Sequence, residues 1–158
     1  MWKNYRGRYN KQETRYKQIQ RYKVQETNIN SKMQNNQTRK FDLEERTTKF
    51  AIAVVRLCKK LSKNPMNDRF VGQVAGSSGS VGANYREAND ALGKKDFIMR
   101  VKISRKEAKE TIHWLELIKE ADPEFAAEID ILIKEATELK NILSSIIDKV
   151  LNNSNKEQ

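Results

Sequence analysis

The chain is poor in the residues that build covalent or metal-bound sites. Among its 158 residues there is one cysteine and one histidine. A single thiol cannot close an internal disulfide, and one cysteine with one histidine is too little for a zinc site made from those ligands. The longest unbroken apolar run, Phe50 to Val55, is six residues and stops at Arg56, far short of a bilayer span. The basic N-terminus is followed by no apolar stretch, which argues against a secretory signal. The expected compartment is therefore cytoplasmic, in keeping with the lone thiol. No Ser/His/Asp order, metal-spaced cluster or cofactor fingerprint occurs, so the expectation is a non-enzyme with no cofactor.

Charge is abundant but unevenly placed. Residues 1–40 hold eleven basic and two acidic side chains, whereas residues 41–158 hold twenty and nineteen. The net charge of +10 thus belongs to an arm and hardly to the body. The arm is rich in Asn, Gln, Lys, Arg and Tyr, with a weak tyrosine repeat at Tyr9, Tyr16 and Tyr22. So few aliphatic residues cannot offset the entropy of ordering it, and it is expected to be disordered in isolation. Within it Arg15-Tyr16-Lys17 and Arg21-Tyr22-Lys23 flank aromatic rings with cations. Cations meet phosphates while a ring stacks on an unpaired base, which makes these six residues candidate RNA contacts. About five such contacts to single-stranded RNA imply a salt slope of roughly −3 to −4. A polar extension of no function fits the same composition.

From about residue 41 to 151 the pattern is helical. Leu43, Phe50, Val54, Leu57 and Leu61 fall on one face. Asn64-Pro65 ends that run. A second helix is expected from Asn67 or Asp68, either a suitable N-cap, through Phe70, Val74, Val81, Tyr85 and Ala88 to about Leu92. Gly93 sits where a left-handed C-cap would lie, and Asp96 would cap a third helix bearing Phe97, Val101, Ala108, Leu115 and Ile118. Asp122-Pro123-Glu124 reads as an N-cap, a proline at the first helical position and an acid in the first turn. The last helix carries Phe125, Ile129, Leu132, Ala136, Leu139, Leu143, Ile146 and Val150 at alternating steps of four and three. Such a repeat implies bundle packing. Short connections make neighbours antiparallel. The predicted fold is an all-α, up-down-up-down four-helix bundle, with residues 152–158 as a polar tail.

The second helix is unusual in carrying Gly72, Gly76, Gly79 and Gly82 along one side. Each costs a helix interior about 1 kcal/mol against alanine. A close helix–helix contact, inside the bundle or between subunits, is the favoured explanation. Backbone exposed to a ligand, or a loop breaking the helix, are the alternatives. A P-loop fits poorly, because no Lys-Ser/Thr follows the last glycine. Asn84, Tyr85, Arg86 and Glu87 follow; Tyr85 falls in the apolar stripe, and the others suit a neighbouring polar group or a subunit contact, with RNA recognition as the alternative. On the third helix, Lys94, Lys95, Arg100, Lys102, Arg105, Lys106 and Lys109 concentrate positive charge. Lys102, Lys106 and Lys109 share a face opposite the apolar stripe, and with Lys94 and Lys95 they are the body's candidate phosphate contacts, set against an ordinary charged surface. Glu107 and Glu110 could face Arg86 or Lys106 as a solvated ion-pair surface. His113 and Cys58 read as packing or surface residues.

Three blocks carry a resemblance: Gly79-Ser-Val-Gly-Ala-Asn-Tyr-Arg-Glu-Ala88, Lys95-Asp-Phe-Ile98, and Lys106-Glu-Ala-Lys-Glu-Thr-Ile-His-Trp-Leu115. In this order and spacing the chain, over about residues 42–150, resembles the bacterial four-helix-bundle proteins encoded in intervening sequences of 23S ribosomal RNA genes. The resemblance implies an antiparallel bundle that assembles as a ring-like homopentamer. It also implies kinship with the accessory variability protein of diversity-generating retroelements, which binds a reverse transcriptase and nucleic acid. Expected partners are therefore further copies of the chain, RNA, and alternatively a reverse transcriptase or ribosomal component, but no membrane. Many relatives carry an arginine where this chain has Gly76, and the arm lies outside the resemblance.

Overall fold

The computed structural model describes residues 43–154; the expectations for the arm, including Arg15, Tyr16, Lys17, Arg21, Tyr22 and Lys23, lie outside them. The described residues form helix α1 (43–58), α2 (Pro65–Asn89), α3 (Lys94–Ala121), one turn of 3-10 helix (Pro123–Phe125) and α4 (Ala126–Ser154). No strand occurs among them.

Polar contacts along the seams fix the topology. The Asn89 amide donates to the Glu44 carboxylate at 2.6 Å, joining the end of α2 to the start of α1. Ser104 of α3 donates to the Val81 carbonyl of α2 at 2.7 Å, and Thr111 to the Ser77 hydroxyl at 3.0 Å. Lys119 meets Asp130 at 2.6 Å across α3 and α4. Arg46 meets Glu135 and Glu138 at 2.6 Å, and Lys60 meets Glu128 at 2.8 Å, closing α4 onto α1. Where two contacts mark a seam the residue numbers run in opposite directions, and the short link through residues 122–125 turns α4 back along α3. The bundle is antiparallel and up-down-up-down, as the periodicity predicts.

The apolar stripes meet at its centre. Val54, Leu57, Val74, Val81, Val101, Leu115, Ile118, Ile129, Leu139 and Leu143 are fully buried, while Phe70, Phe97 and Phe125 pack at the margin. Near the end of α4 the buried residue is Ile147, with Ile146 half-exposed. A straight helix drifts about 20° per heptad from a 3.5-residue repeat, so a step of four replaces the expected three. The α3 stripe is continuous at Val101, Ser104, Ala108, Thr111, Leu115 and Ile118. Two of its six positions are hydroxyl residues, buried because each donates to a neighbouring carbonyl or hydroxyl.

Three helix ends differ from expectation. The N-cap of α2 is Asn64, whose side chain accepts from the Met66 and Asn67 amides at 3.0 and 2.9 Å, with Pro65 as the first helical residue. The proline that stops one helix thus opens the next. Gly93 is not a left-handed C-cap: at φ −173° and ψ 171° it is extended and caps the start of α3. Helix α3 therefore begins at Lys94, and Asp96 lies in its first turn. Asp122 makes no capping bond to the turn that follows it. Its carboxylate is buried and accepts from the Asn67 amide at 3.2 Å, while Asn67 also donates to the Ser62 carbonyl at 3.0 Å.

Candidate nucleic-acid interface

Helix α2 presents its glycines in two ways. Gly82 is buried, and a methyl group there would sit 2.9 Å from the Thr47 hydroxyl and 3.0 Å from the Arg86 guanidinium. This one glycine lets α1 approach α2. Gly72, Gly76 and Gly79 are exposed, and a Cβ on any of them would meet nothing within 4 Å. The expectation of a tight contact inside the bundle is thus corrected for three of the four. On α1, Ile52 and Val55 are 47% and 41% exposed. The three outward glycines leave a smooth strip of α2 without side chains.

The four residues after the glycines are engaged within the chain. Asn84 donates to the Ser80 carbonyl at 2.9 Å of its own helix. Tyr85 is buried in the stripe, and burial pushes its phenol pKa up. Arg86 donates to the Glu44 carbonyl at 3.0 Å and to the Thr48 hydroxyl. Glu87 pairs with Arg100 of α3. Arg86 therefore faces α1 and not Glu107 or Glu110. Glu110 instead accepts weakly from the Trp114 indole at 3.4 Å.

The outer face of α3 is different. Arg46, Lys60, Arg100 and Lys119 all sit in seams against carboxylates. Lys95, Lys102, Arg105, Lys106 and Lys109 form no ion pair with another described residue. Lys102, Lys106 and Lys109 are exposed on one face, as their spacing predicts, and Arg105 extends it. Lys94 and Lys95 occupy the first turn, where the helix dipole already favours anions over cations. Lysines one turn apart also repel by a few tenths of a kcal/mol. Such an array is mildly unfavourable until an anion covers it. Arg105 is the member of the set that the lysine spacing alone did not single out as a contact.

The remaining candidates carry no such cluster. His113 is exposed, its ring 5.3 Å from that of Trp114. Among the described residues no group of three or more His, Cys, Asp or Glu could hold a metal ion, and no helix is long and apolar enough to cross a membrane. Cys58 is half-buried, and burial pushes its thiol pKa up. Since the thiolate is the reactive form, iodoacetamide at pH 8 should alkylate Cys58 roughly fivefold or more slowly in the folded chain than in denaturant. Equal rates would show the site to be open.

The family model described as 23S rRNA-intervening sequence protein matches residues 39–145. The chain belongs to that family. Among solved structures, a protein of unknown function from the S23 ribosomal protein family of Bacteroides thetaiotaomicron is 31% identical, with a TM-score of 0.60 over 66% of this chain and 97% of that one. Comparison with curated proteins gives no match. In this family member the three motif blocks fall on the second half of α2 and on α3 as far as Leu115. They border both the smooth strip and the cationic face.

Proposed function

We propose that this family member is a non-catalytic, self-associating helical scaffold that binds RNA through the outer face of α3, with the N-terminal arm as a second basic contact. The observation that carries the reading is the row of exposed Lys102, Lys106 and Lys109 on one face of α3, with Lys95 and Arg105 beside them and no described acid paired to any of the five. The family's connection to 23S ribosomal RNA genes makes RNA the natural polyanion. The smooth strip on α2 supports self-association, with a ring of five copies implied by the resemblance. Clustering weak sites in a ring raises avidity by orders of magnitude.

The test is RNA binding by the full-length chain across a salt series. Reversing Lys102, Lys106 and Lys109 to glutamate should weaken binding at least about a hundredfold, with helical content unchanged. Neutralising them should flatten the salt slope by about 2, at roughly 0.7 per contact with a single strand. Unaltered binding would remove α3 from the account. The rival reading, a scaffold docking a nucleic-acid enzyme such as a reverse transcriptase, draws on the same smooth strip as a protein-facing surface. It predicts that reversal leaves RNA affinity intact and abolishes partner capture.

A further inference from the structure

The outer face of α3 changes character along its length. Lys95, Ile98, Met99, Lys102, Ile103 and Lys106 line a shallow hollow of about 390 Å³. The adjoining hollow, about 440 Å³, is lined by Lys102, Arg105, Lys106, Lys109 and Glu110. Because Lys102 and Lys106 belong to both, the two form one continuous trough. Its first part has an apolar floor, with Met99 50% exposed between half-buried Ile98 and Ile103. Its second part is almost purely cationic; the one acid there, Glu110, is turned to the Trp114 indole.

An occupant that satisfies both parts carries negative charges at intervals and a flat or apolar body between them. Duplex RNA does not offer this. Its bases are stacked inside, and its major groove is too deep and narrow for side chains to read. Against a duplex, Met99 would meet sugar, phosphate and base edges but no free base face. A single strand can turn a base outward, and every base has an apolar face. A thioether is a good platform for it, because sulfur packs favourably against aromatic rings. We propose that the α3 trough holds single-stranded RNA, one unpaired base lying on Met99, Ile98 and Ile103 and the flanking phosphates on Lys102, Arg105, Lys106 and Lys109. This rests on the RNA reading above and names the form of RNA that the face accepts.

The experiment uses the full-length chain with Trp2, Tyr5, Tyr9, Tyr16 and Tyr22 all replaced by alanine, so that rings of the arm add no stacking. Three probes are compared: a fifteen-nucleotide single strand, its duplex, and a strand of equal charge in which every base is missing. Single-stranded RNA should bind about tenfold tighter than either of the others. Met99→Ala should lower single-strand affinity about three- to tenfold, while leaving the salt slope and the duplex affinity unchanged. Met99→Trp should restore or increase it. Met99 is half exposed, so neither variant threatens the fold. Duplex binding as tight as single strand, or a Met99→Ala effect common to all probes, overturns the proposal and leaves phosphate-only binding of RNA standing. Absence of binding to every RNA, with retention on phosphatidylserine vesicles, overturns the RNA reading as well.

Discussion

Replacing Gly72, Gly76 and Gly79 together with alanine should stabilise the monomeric bundle by about 2–3 kcal/mol, at close to 1 kcal/mol each. The gain follows from two facts: all three lie inside α2, and a methyl group at each projects into open space. Urea unfolding at low protein concentration would show a raised midpoint with an unchanged slope. The same triple variant should weaken self-association, because the methyl groups hold a neighbouring helix away from the α2 backbone. Stability gained without any loss of association, measured by native mass, would sink the account of the strip as a contact surface. Gly82→Ala is the internal control. There the methyl group meets the Thr47 hydroxyl, which is held by its own bond to the Glu44 carbonyl at 2.9 Å. The crowding should cancel the helix-propensity gain or exceed it by about 1 kcal/mol.

The second large effect is expected where α2 begins and α3 ends. Asn67 and Asp122 are 2% and 4% exposed. One amide-to-carboxylate bond joins them, and among the described residues the Asn67 carbonyl oxygen and second Asp122 oxygen have no hydrogen-bond partner. Asn67→Ala removes the Asp122 carboxylate's donor and the bond to the Ser62 carbonyl. A loss of roughly 3 kcal/mol is expected, since stranding a buried charged group costs more than a neutral one. Asp122→Asn should behave in the opposite way. The new amide removes a buried charge and supplies a donor toward the unpartnered Asn67 oxygen, so stability should be unchanged or about 1 kcal/mol higher. Thermal unfolding of the two variants side by side decides the matter; a heavy loss from Asp122→Asn would mean that the carboxylate's charge is itself required.

The fold was legible because burial is periodic. Leu43 to Leu61 and Ile129 to Leu143 place large aliphatic residues at helical steps, and no local preference competes with them. Thr47, Ser77, Ser78, Ser104 and Thr111 are buried although their residue types suggest surface. Their signal was available in the unbroken three-four steps of α3, which pass through Ser104 and Thr111. Helix ends were less legible. Asn64, Asn67 and Asp68 are all plausible caps, and only the fold shows that Asn67 is needed by Asp122. The cationic face of α3 was readable from lysine spacing, but its significance was not. Whether Lys102 is matched by an acid depends on which helix lies beside it, and that is a tertiary fact. The glycines showed the limit most plainly: even steps along α2 could not separate the one facing Thr47 from the three facing outward.

The two hydroxyl bonds between α2 and α3 have a mechanical consequence. Thr111 is seated on Ser77 and Ser104 on the Val81 carbonyl. A slip of one helical turn, 5.4 Å, would unseat both at once in a dry interior. The pair therefore acts as a two-toothed key that sets the lengthwise register of α3 on α2.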